Sequence, residues 1–190
     1  MDAYGHLRIL VSMILGLAIT RILAGLSRRI QSPQYTEGML AQTVWALVLL
    51  LSAVHFWWWE FGLRRIGDWH FGIYVFVLAY ASLHFLMATL IFPDAQPDHE
   101  GSERFFLRRR HWFFGLFALS FVFDLYDTLL KGQAHLRALG PEYPWRLAFG
   151  IGLALLAALR ARSHRGLALI GLLWLAYDLS WIIRHYDSLD

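Results

Sequence analysis

Seven ionisable side chains stand inside long apolar runs of this sequence: Arg21, His55, Glu60, His84, Asp124, Asp127 and Asp178. Grouped away from water, such residues can bind a cation, relay a proton, or lock helices together as ion pairs. A charge at the centre of a bilayer costs at least about 2.5–3.5 kcal/mol on insertion scales, so these groups pair with one another or line a wet pathway.

Their depths decide which of them can meet. Depth is taken below the face on which the first apolar run begins. At a helical rise of about 1.5 Å per residue, His55 lies about 12 Å deep and Glu60 about 5 Å. Asp124 and Asp178 lie about 8–11 Å deep, Asp127 slightly higher, and Arg21 roughly 10 Å below the aspartates. Helical side chains lean toward their own N-terminus. Arg21 therefore leans up while Asp124 and Asp178 lean down, and one of these aspartates is its expected partner. That pair either fixes helix register or forms part of a gated site. One arginine among several carboxylates leaves a spare acid able to carry a proton. Asp124 and Asp127, three residues apart, share a helix face. For Asp127 and Glu60, contact with interfacial water is the competing expectation.

Other chemistries find less support. Haem ligation by His55 and His84 needs both rings at one depth, whereas His84 lies about 22 Å below the reference face. Neither H-E-x-x-H nor Glu-x-x-His occurs within the apolar runs. A looser metal site from His55, Asp124 and Asp178 rests on depth alone. There is no glycine-rich phosphate loop and no G-x-S-x-G element. No cofactor and no metal is expected from these patterns, and no catalytic residue stands out. The acidic run Asp94, Asp98, His99 and Glu100 reads as a solvated loop.

The elements that hold these residues must be membrane helices. Of 190 residues, 58% are apolar or aromatic and 16% are charged; ordinary soluble proteins carry about 25% charged residues. Mean hydropathy is +0.46. A core of this length cannot hide so much apolar surface from water, but lipid can solvate it. The chain has no cysteine, so disulfides and thiolate chemistry are out. The net charge of +3 comes almost wholly from arginine, with Lys131 the single lysine. The arginines cluster at the ends of apolar runs, which fits surface anchoring rather than nucleic-acid binding. Arg104, Arg108, Arg109 and Arg110 would suit anionic lipid.

Six apolar runs approach the length that crosses about 30 Å of hydrocarbon: residues 7–30, 39–63, 69–92, 112–130, 145–161 and 166–183. Together they predict an all-α fold, one transmembrane domain built as a six-helix bundle. The first run reads as a retained span, because Asp2 precedes it and Arg21 interrupts it. Between runs three and four, "RFFLRRRHW" forms either an interfacial helix or an extension of the fourth span. Nine arginines flank one side, and six arginines with Lys131 the other. The positive-inside rule then leans toward termini outside.

"LAYASL" in the third run is echoed by "LAYDLS" in the sixth. Two inverted three-helix repeats, as in many transporters, would produce such an echo; so would chance between leucine-rich helices. Two stripes of small residues suit close helix packing: Ser12, Gly16, Thr20 and Ala24, and Gly150, Ala154 and Ala158. They pack against each other or between copies in a homo-oligomer. Three consecutive residues, Trp57, Trp58 and Trp59, fit an aromatic belt. They turn through about 200° of helix, so at least one faces the bundle.

The pattern "VSMILGLAITRILAGLSRRIQ", with "LAQTVWALVLLLSAVHFWWW" and "HWFFGLFAL", resembles a class of small bacterial inner-membrane proteins of unknown function. The resemblance implies a multi-pass inner-membrane location and no activity. From the residues, the leading expectation is a small transporter or channel with a proton- or cation-handling layer of Arg21, His55, Glu60, Asp124, Asp127 and Asp178. The other is a non-catalytic membrane scaffold or subunit. A redox or lipid-modifying enzyme stands third.

Overall fold

A computed structural model describes residues 3–31, 38–93, 102–161 and 163–185. Asp94, Asp98, His99, Glu100 and Arg162 lie outside the described residues. The described chain is all helix, without strands: α1 (Ala3–Gln31), α2 (Met39–Trp59), a 3-10 segment (Glu60–Arg65), α3 (Phe71–Ile91), α4 (Ser102–Leu130), α5 (Gln133–Ala138), α6 (Glu142–Leu159) and α7 (His164–His185).

Five stretches are long and apolar enough to cross a membrane: Tyr4–Gln31, Met39–Arg65, Phe71–Ile91, Arg104–Leu130 and His164–His185. Helices suit that solvent because every backbone amide is satisfied within the segment. The fifth expected span is α6, 18 residues long. It packs in the bundle but does not join the five by length and composition; its first turns carry Glu142 and Arg146. "RFFLRRRHW" belongs to α4, which runs unbroken from Ser102, so this stretch extends the helix.

The most extensive packing joins α1 to α3, α2 to α7, α4 to α6 and α3 to α4. Under an inverted repeat α1–α3 would correspond to α4–α7; that pair meets through Phe117 and Phe121 on Trp174, without the close backbone approach of α1 to α3. Glycines set two of the close approaches. A Cβ on Gly150 would stand 2.4 Å from the Phe121 ring, so α6 lies directly against α4. A Cβ on Gly171 would stand 2.7 Å from Val44, which brings α7 against α2. The buried Trp45 ring meets Phe113, Phe114 and Phe117 edge-on, and its Nε1–H donates to the Leu167 carbonyl at 2.9 Å. A buried indole keeps its N–H bonded in this way.

The two small-residue stripes behave differently. Gly150, Ala154 and Ala158 are buried, whereas Ser12, Gly16, Thr20 and Ala24 are exposed along α1. The bundle uses the other register of α1, with Leu7, Val11, Leu15, Ala18 and Ile22 buried. The main neighbours of α1 are α3 and α2, and those of α6 are α4 and α7. The two stripes therefore do not pack against each other within the chain.

Arg21 also departs from expectation. Its Nε and Nη2 donate to the Phe92 carbonyl at 3.2 and 2.9 Å. Phe92 caps the C-terminus of α3, where carbonyls lack helical partners and the dipole favours a cation. Gln42 does the same one residue earlier, donating to the Ile91 carbonyl at 2.5 Å and accepting from Arg29. Arg21→Leu is expected to lower stability by about 1.5–3 kcal/mol, the range for a hydrogen bond to a charged group. Denaturant-induced unfolding in detergent micelles measures it.

Candidate polar chamber

The polar layer is assembled away from Arg21, where α4, α6 and α7 meet. Its centre is Arg146, a buried residue in the second turn of α6. Arg146 Nη2 donates to Asp178 Oδ1 at 2.8 Å, and Nη1 lies 3.6 Å from Asp124 Oδ2. The guanidinium also stands over the rings of Trp174 and Trp181, at 5.7 and 5.4 Å from their centroids. A weakly hydrated guanidinium is suited to this combination of carboxylates and aromatic faces. Asp124 Oδ2 further accepts from the Tyr143 hydroxyl at 3.1 Å, and that hydroxyl meets Thr128 Oγ1 at 2.8 Å. Asp124 and Asp178, expected beside Arg21, are thus held by Arg146.

A second cluster adjoins the first along α4. Asp127, with no exposed surface, accepts from Trp59 Nε1 at 2.5 Å and from Lys131 Nζ. Lys131 lies 3.7 Å from Glu60 Oε1 and 4.5 Å from the Trp59 ring centroid. Its aliphatic stem lies 3.1 Å from where a Cβ on Gly62 would stand. Glu60 is 6% exposed, so neither Glu60 nor Asp127 is the water-facing group expected of a span end. Of the three tryptophans, Trp59 faces inward to Asp127. Trp57 takes the Arg8 guanidinium on its ring, and Trp58 is half-buried.

Between the helices lies a cavity of about 40 Å³, room for roughly three waters at about 10–15 Å³ each. Arg146, Asp124 and Asp178 form its charged wall. Ser52, His55 and Trp59 come from α2, and Tyr80 and His84 from α3. His84 Nε2 meets Ser52 Oγ at 3.3 Å, and its ring lies 6.0 Å from Tyr80, one turn away. Both histidines reach this chamber, so their difference in helix depth does not keep them apart. Among the described residues, no three histidine, aspartate or glutamate side chains group as metal ligands.

Arg146, Lys131, Tyr143 and Thr128 were not singled out from the sequence as members of the layer. Lys131 carried a signal: it lies four residues after Asp127, the spacing at which helical side chains meet.

Two titratable groups, Glu142 and His135, lie beyond the spans. Glu142, at the start of α6, accepts from Arg184 Nη1 at 2.6 Å, from Nη2 at 2.8 Å, and from the Tyr177 hydroxyl at 3.2 Å. The Arg184 hydrogen bonds pull the Glu142 carboxyl down to about 2, below its ordinary 4.5. Its contribution to stability is complete above the ordinary carboxylate range and is lost as pH falls through about 2. Arg184→Gln is expected to return the Glu142 titration to near its ordinary value, read by carbon NMR of labelled glutamate. In the α4–α6 connection, the His135 ring packs 4.8 Å from Trp59. Burial, with Lys131 and Arg65 nearby, pushes His135 down to about 4. It is neutral at pH 7, and its docked position is progressively disfavoured as pH falls from about 6.5 to about 4.

No protein-family model, curated protein or solved structure matches the chain.

Proposed function

We propose that this chain is a small transporter or channel of the bacterial inner membrane, whose polar layer handles protons or a small cation. The observation that carries the reading is the charge balance of the buried layer. Asp124 and Asp178 share one base, Arg146. Asp127 and Glu60 share another, Lys131. Four carboxyl groups thus face two bases. An unbalanced buried charge costs several kcal/mol. Each half of the layer therefore needs one more positive charge, and a proton or a small cation supplies it. The chamber beside Asp124 and Asp178 is where such an ion would exchange. Arg21, bonded to the end of α3, serves structure in this reading rather than the ion path.

The experiment is ion-gradient-driven flux in vesicles reconstituted with the purified chain. Asp124→Asn and Asp178→Asn should each reduce flux toward the protein-free background. Wild-type flux in both variants would sink the proposal.

A second reading, a scaffold or subunit, is favoured by the exposed stripe Ser12, Gly16, Thr20 and Ala24, which suits close approach of another helix. It predicts stoichiometric co-purification of a partner, or self-association, lost on Gly16→Leu. The basic end of α4, with Arg104, Arg108, Arg109 and Arg110, would then sit against anionic lipid. The termini would lie outside the cell.

A further inference from the structure

The chamber has an apolar neighbour. Between α2 and α7 a groove of about 210 Å³ is lined by Leu51, Val54, His55, Trp58 and Ile182. It exceeds the roughly 150 Å³ apolar cavity that accepts benzene in an engineered protein. Val54, on its wall, is 52% exposed, so the groove lies on the outer, lipid-facing side of the bundle. His55 lines both spaces, so one side chain is common to a polar compartment and an apolar one.

The chamber's charge specifies what it will accept. Its wall carries the carboxylates of Asp124 and Asp178 against the single guanidinium of Arg146. The surplus is one negative charge. Asp178 is engaged by Arg146 at 2.8 Å, whereas Asp124 is 3.6 Å from it and retains acceptor capacity. Aromatic faces surround the same space, including Phe56, Trp59, Tyr80 and Phe121. Carboxylate together with aromatic faces is the chemistry that recognises an organic cation. With a volume of about 40 Å³, room for about three waters, the chamber suits a small ammonium head.

We propose that the chamber and the α2–α7 groove form one bipartite site for an amphiphilic primary amine. The ammonium would sit beside Asp124, and the apolar body would pass His55 into the groove. This inference rests on the cation-handling reading above and names its substrate class. The ammonium takes the place of the proton or metal ion that otherwise balances the surplus carboxylate. Entry through the groove would draw the ligand from the bilayer rather than from water.

The test uses the full chain in lipid nanodiscs, with 2-phenylethylammonium as probe and 2-phenylethanol as its uncharged counterpart. Calorimetry at pH 7 reads binding, and the summed tryptophan fluorescence is an independent readout. Wild type should bind the amine at least about tenfold more tightly than the alcohol, a difference of roughly 1.4 kcal/mol. Asp124→Asn should erase that preference. Val54→Trp, which fills the groove from an exposed position, should weaken amine binding by about tenfold or more. Melting curves of both variants establish that they are folded. Equal binding of amine and alcohol by wild type would overturn the proposal, as would unchanged amine binding in both folded variants. Amine binding with these dependencies but without ion flux would leave this site standing and remove the transport reading. Ion flux without amine binding would do the reverse.

Discussion

Arg146→Met is expected to destabilise the bundle by about 3–5 kcal/mol, the cost of breaking a buried ion pair from one side. Methionine keeps much of the volume and apolar stem, so the effect isolates the charge. The substitution leaves Asp178 and Asp124 facing each other without their common base, among aromatic rings that offer no replacement. It also removes the group that joins α6 to α7 and α4 at one point. Unfolding in a denaturing detergent, followed by tryptophan fluorescence, should register the loss. Adding Asp178→Asn to the same chain should recover roughly half of it or more, because removing both members of a buried pair is often near neutral. If the double variant is no more stable than the single one, the arginine acts by packing on Trp174 and Trp181 and not by charge.

Why Arg146 escapes the sequence shows what a membrane chain hides. It opens the fifth apolar run, and counting residues from the run's end puts it at the surface with Arg8 and Arg184. The helix begins one turn earlier, at Glu142, and Tyr143 and Arg146 are both buried. A signal was nevertheless present. Gly150, Ala154 and Ala158 mark the buried face of α6, and one further step of four backward is Arg146. Extending the small-residue register would have placed the arginine inside. The same logic fails on α1, where the visible stripe is the exposed one. Lipid is as apolar as a protein core, so hydropathy does not tell an inward face from an outward one. Five of the six apolar runs coincide with long apolar helices, although α4 begins at Ser102, ten residues before its run. The shared depth of His55, Asp124 and Asp178 follows from helix rise, and all three line the chamber. Arg21 donates to a backbone carbonyl at the end of α3, and no residue type announces such an acceptor.

Asp124 and Asp178 should differ sharply when each is changed to asparagine. Asp178 is 3% exposed and takes the short, charge-assisted bond from Arg146. Asparagine keeps an acceptor oxygen but not the charge, and leaves Asp124, at 3.6 Å, as the carboxylate on the guanidinium, so Asp178→Asn should lower stability by about 2–4 kcal/mol, toward the cost of a broken buried pair. Asp124 is bound more loosely, by Tyr143 at 3.1 Å and Arg146 at 3.6 Å, and its side chain keeps 14% of its surface open. Asparagine can still accept from the Tyr143 hydroxyl, so Asp124→Asn should cost no more than about 1 kcal/mol, the net worth of one ordinary hydrogen bond. Flux should follow the opposite order of specificity. Asp124 carries the surplus charge, and neutralising it removes the reason for a cation to stop in the chamber. The variant should be nearly as stable as wild type and close to background in transport. Loss of flux in Asp178→Asn should instead track its lost stability, and lipid or temperature conditions that restore folding should restore part of the flux. The decisive comparison is stability against flux in the same preparations. Should Asp124→Asn prove both stable and fully active, the surplus charge is not the ion site, and the layer's role is to hold α4, α6 and α7 in register.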